Sequence, residues 1–63
     1  MADLVVTGGG TVYLLDPVSD VGKDWCAEHL PEDATRWGTA YAVEHRYIGP
    51  IIEGAQNDGL VVA

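Results

Sequence analysis

Leu4-Val5-Val6-Thr7-Gly8-Gly9-Gly10-Thr11-Val12-Tyr13-Leu14-Leu15-Asp16-Pro17 decides the fold class. Two β-prone runs flank three glycines, and a short glycine-containing loop between such runs reads as a β-hairpin. Leu4 to Thr7 and Thr11 to Leu15 are the expected strands, with Gly8-Gly9-Gly10 as the turn. Asp16-Pro17 stops the second strand, because proline has no N–H to give to a ladder. A phosphate-cradling loop would need a helix after the glycines and usually a nearby lysine. Here a strand follows and Lys23 is far along the chain, so turn chemistry is the better account.

Downstream of the hairpin the period changes. Ser19 is a plausible N-cap for a helix running to Leu30, and Asp20 and Asp24 suit the positive end of its dipole. Val21, Trp25 and His29 recur every four residues and share a face, with Gly22 and Cys26 beside them, and Pro31 marks the end. Glu32-Asp33-Ala34-Thr35-Arg36 reads as a polar loop. Thr39 to Glu44 reads as a third strand, with Tyr41 and Val43 on one face and the alanines on the other.

A second helix is expected over roughly Arg46 to Asp58, starting at Arg46 or Tyr47 so that Pro50 falls near its first turn. Ile48, Ile51, Ile52 and Ala55 form its buried stripe, Gly59 fits the left-handed position after it, and Leu60-Val61-Val62 supplies a closing strand. The fold class is therefore α+β. The order β-β-α-β-α-β gives one mostly antiparallel sheet with both helices on one face, in a single domain spanning residues 1–63.

Size and charge bound the function. A chain of 63 residues buries only about 60% of its unfolded surface, which leaves little core for a deep pocket. No apolar run approaches the roughly 20 residues of a membrane span, and Met1-Ala2-Asp3 has no basic signal-peptide start, so a cytosolic protein is expected. Ten acidic residues against three basic ones give a net charge of −7. Nucleic acid and anionic membranes repel such a surface, whereas a basic protein surface attracts it. The alternative is that the charge serves solubility alone.

Chemistry beyond charge is sparse. Cys26 and His29 lie three apart on one helix, where a thiolate–imidazole pair is conceivable, but no orienting group or oxyanion site accompanies them. A metal site built from Cys26, His29 and His45 would need a fourth ligand. No catalytic residue, metal or cofactor is expected. Of the aromatics, Trp25 is expected inside and Trp37 partly exposed.

Asp20, Asp24 and Glu28 recur every four residues, and Glu32 with Asp33 continues the series past Pro31. Like charges at this spacing cost a helix about 0.2–0.5 kcal/mol per pair, so local stability does not select them. The rise per residue puts consecutive carboxylates about 6 Å apart along the axis. That is close to the spacing of neighbouring phosphates on a nucleic-acid strand. Glu53 and Asp58 add a smaller acidic edge on the second helix. These seven acids are the expected partner-binding residues.

Leu14-Leu15-Asp16-Pro17, Trp25, Glu28 through Ala34, Trp37-Gly38, Val43 through Ile48 and Gly54 through Leu60 form a pattern covering most of the chain from Val12 onward. It resembles short, uncharacterised proteins encoded by phages, prophages and other mobile elements of proteobacteria. In size and charge the chain is also similar to anti-CRISPR inhibitors, several of which act as DNA mimics. The resemblance implies an inhibitor that acts in the host cytoplasm and covers a basic DNA-binding surface of a host complex, such as a Cascade-type effector. The −7 charge, rather than the resemblance, is the reason that no direct contact with nucleic acid or membrane is expected. The competing expectation is a homodimeric or accessory structural module, joined through an exposed strand or Trp37.

Overall fold

Gly10, at φ 71°, reverses the chain between β1 (Leu4–Gly9) and β2 (Val12–Pro17). A computed structural model describes all 63 residues and keeps the expected hairpin, but tightens it. Gly8 and Gly9 join the first strand opposite Tyr13 and Val12, leaving Gly10-Thr11 as the turn. Pro17 is the last residue of β2, where its missing N–H costs no ladder bond.

Ser19 caps α1 (Asp20–His29): its hydroxyl accepts from the Gly22 amide at 2.9 Å and donates to the Asp3 carboxylate at 2.7 Å. Gly22, Trp25 and Cys26 form the buried face, while Val21 stands 60% exposed. Val21 lies about 100° round the helix from Gly22, at the edge of that face. Gly22 is required for a different reason: the Asp3 carbonyl oxygen occupies the place a β-carbon would take.

The expected loop at Glu32 to Arg36 contains a two-residue strand, β3 (Arg36–Trp37), which turns through Gly38 (φ 63°) into β4 (Ala40–Glu44). The sheet order is β1-β2-β4-β3, antiparallel throughout its named strands. The closing strand shrinks to one parallel bridge, Val62 to Leu4, with amides of Asp3 and Leu4 donating to the Val61 carbonyl and that of Val6 to Ala63. The α+β class holds, and the expected element order is met apart from these two short segments.

Glu44 leads into α2 (His45–Asn57), which begins before the expected start and puts Pro50 inside the helix, past its first turn. Ile48 and Ala55 are buried, with Ile51 and Ile52 half-buried beside them, as the spacing predicts. Gly59 (φ 89°) completes a Schellman cap: the Leu60 amide donates to the Ala55 carbonyl and the Gly59 amide to Gln56.

Paired residues of an antiparallel sheet point to the same face. Leu4, Val6, Tyr13, Leu15, Tyr41 and Val43 therefore share one face, and these residues pack with Trp25, Cys26, Ile48, Ala55 and Leu60 in a single core under both helices. The opposite face carries no helix.

Candidate functional site

Asp20, Asp24 and Glu28 fall within about 80° of arc on the outward side of α1, opposite Trp25 and Cys26. All three are exposed, and none forms a salt bridge. The three basic residues are engaged or placed elsewhere. Arg36 lies 4.1 Å over the Tyr41 ring and donates to its hydroxyl and to the Thr39 carbonyl. Arg46 pairs with Glu44 at 3.5 Å and covers the Tyr47 ring. Lys23 sits on the other flank of α1's exposed side and pairs with no acid. Glu32 and Asp33 are exposed in the segment that follows the helix, also unpaired.

The remaining two acids of the expected set are placed differently. Asp58 stands at the C-cap of α2, exposed but directed toward α1: it accepts the Trp25 indole N–H at 2.8 Å and stands 3.7 Å from His29 Nε2. Its main task is to tie the end of α2 to α1. The signal for this was Trp25 itself, since a buried indole N–H seeks an acceptor. Glu53 is exposed, about 100° round α2 from Gly54, whose surroundings include the Trp25 ring. It therefore does not extend the strip on α1.

Cys26 is fully buried, and that burial pushes its thiol above the ordinary value, with the Arg36 charge a lesser opposing influence. His29 does not reach toward it as a base. Its ring stacks on Trp25 at 4.4 Å, with Nδ1 2.9 Å from the Trp25 carbonyl oxygen. A buried, protonated thiol beside an engaged imidazole lacks the geometry of an activated nucleophile. No three His, Cys, Asp or Glu side chains gather in metal-ligating geometry.

Two further surfaces stand out, of which the first was not legible in the sequence and the second followed from placing both helices on one face of the sheet. The first is a groove of about 500 Å³ between the segment Leu30 to Thr35, strand β4 and the start of α2, walled by Leu30, Pro31, Ala34, Tyr47, Pro50 and Ile51. The second is the bare face of the sheet. The register puts Val5, Val12, Leu14, Ala40, Ala42 and Trp37 there, with Trp37 72% exposed and Asp16, Thr39 and Glu44 at the margin.

Comparison with protein-family models, with curated proteins and with solved structures returns no match. No helix is long and apolar enough to cross a membrane.

Proposed function

We propose that this chain is a small acidic protein-binding inhibitor that presents α1 as a counterfeit nucleic-acid backbone to the basic DNA-binding groove of a host effector. The single supporting observation is that Asp20, Asp24 and Glu28 stand exposed on one rigid helix face and none of them forms a salt bridge with the chain's three cations. Lys23 and Arg36 border the strip at one edge, but no cation pairs with it, so three unpaired carboxylates outweigh them on that side. Opposite charge on the partner would speed encounter, and affinity would fall as salt rises. Glu32 and Asp33 lengthen the strip; Glu53 and Asp58 contribute only to the general negative field. The effector class, a type I CRISPR complex acting in the host cytoplasm, comes from the resemblance to mobile-element proteins and DNA-mimic inhibitors.

The test is displacement of labelled target DNA from a purified type I effector. Charge reversal at Asp20, Asp24 and Glu28 together should weaken displacement by about a hundredfold, at roughly 1 kcal/mol for each lost pairing. A folded triple variant that displaces DNA as well as the parent sinks the acidic-face mechanism.

The second reading, a homodimeric or accessory structural module, draws support from the uncovered sheet face around Leu14 and Trp37. In that case the charge keeps the module soluble and the sheet carries the contact.

A further inference from the structure

Strand β4 has one side committed and one side open. Toward β2 its residues follow a complete ladder that ends with the His45 amide donating to the Thr11 carbonyl. In that register Tyr41, Val43 and His45 direct their backbone groups to β2, so Ala42 and Glu44 direct theirs the opposite way. There the Ala42 amide donates to the Thr35 carbonyl at 2.9 Å, and pairing stops: no bond joins Ala42's carbonyl or Glu44's amide to the segment before Thr35. That segment veers off toward the end of α1. Between it and the strand lies the 500 Å³ groove, which Ala42 and Glu44 help to line. Pro50, on the groove's far wall, also denies the Arg46 carbonyl the amide it would receive in a regular helix.

An acceptor and a donor one strand step apart, beside an apolar trough, match an extended chain better than a compact ligand. Main-chain bonds would supply the pairing, and an alternate side chain would enter the trough. The rim selects the sign of that chain. Glu32 and Asp33 lie on the segment that forms one lip, Glu44 is on the other, and the whole molecule carries −7; of the two arginines nearby, Arg46 is paired with Glu44, and Arg36 is held over the Tyr41 ring with bonds to its hydroxyl and to the Thr39 carbonyl. We propose that the open edge of β4 is a docking site for an extended segment of a partner protein. That segment adds as a further strand, with an apolar side chain in the groove and Lys or Arg residues facing Glu32 and Asp33. The site shares no residue with Asp20, Asp24 and Glu28; Glu32 and Asp33 belong to both surfaces, and the variants at Glu44 and Tyr47 that test the docking site leave the acidic strip untouched.

Backbone geometry supplies a sharp test. Glu44 has φ −64° and ψ 148°, the conformation proline prefers, and β-strand Val43 before it is compatible with a following proline. Glu44→Pro therefore deletes the docking N–H while leaving the fold intact, and Glu44→Gln removes the same charge but keeps the N–H. The probe is a phage-displayed library of short random peptides selected against the full chain; recovered peptides are then synthesised and titrated by calorimetry. Recovered sequences are expected to combine an apolar anchor with Lys or Arg. Glu44→Pro should bind them about tenfold more weakly than Glu44→Gln does. Tyr47→Ala, which opens the groove without touching the edge, should weaken them similarly. Equal binding by the proline and glutamine variants overturns strand addition, as does recovery of no peptide or only acidic ones. Concentration-dependent dimerisation that vanishes in Glu44→Pro gives the edge to a second copy and equally overturns the assignment.

Discussion

At the scale of single residues, Gly22 and Asp3 hold the two ends of the chain against α1. Any β-carbon at position 22 overlaps the Asp3 carbonyl oxygen, a backbone atom that also accepts from the Val18 amide and cannot swing aside. Gly22→Ala should cost about 1–3 kcal/mol despite alanine's better helix propensity, readable as a lower urea midpoint. Asp3 accepts from the Val61 amide at 2.9 Å and the Ser19 hydroxyl at 2.7 Å, and these two bonds, the first the larger, hold its carboxyl below the usual aspartate value. A depressed folded pKa stabilises above the unfolded value of about 3.9 and loses that contribution as pH falls through the folded one. Asp3→Asn should therefore unfold at a lower temperature than the parent at pH 6. The gap should close as the solution is taken below pH 3. A gap that stays constant with pH would show that the carboxylate's charge is irrelevant to the clasp.

At the scale of elements, α2 carries a built-in fault. Pro50 interrupts its bonding past the first turn, where an interior proline costs about 3 kcal/mol relative to alanine. Part of that is offset because proline also restricts the unfolded chain. Pro50→Ala should stabilise by about 2 kcal/mol in denaturant unfolding while reshaping the groove wall. How elements were legible follows from where their signals lie. The N-cap at Ser19, the Ile48–Ala55 stripe and the Gly59 cap are local patterns, and all three could be read from neighbouring residues. The start of α2 at His45 lies one residue before the expected Arg46, a difference no larger than the ordinary fraying of a helix end. The strip on α1 was likewise legible from spacing. The groove was not, since it needs Pro31 and Ala34 beside Tyr47 and Ile51, residues that only the crossing of α2 brings together.

At the scale of the whole molecule, net charge and the bare sheet face pull in opposite directions. The uncovered face spans three strand spacings by about six residues, roughly 300 Å², well short of the about 800 Å² per partner in a stable complex. Two copies would also bring −7 against −7. Light scattering should find a monomer at low salt, with weak self-association emerging only at high salt, where repulsion is screened; a salt-resistant dimer would instead favour the structural-module reading. The same asymmetry gives the molecule two optical probes of different events. Trp25, sealed in the core and stacked on an imidazole, emits according to whether the chain is folded, while Trp37 looks into solvent from the far side of the sheet. A blue shift without loss of helical dichroism would thus mean that something has come to rest on the sheet. A partner seated on α1 would leave the Trp37 emission unmoved, so those two surfaces can be told apart with no label attached.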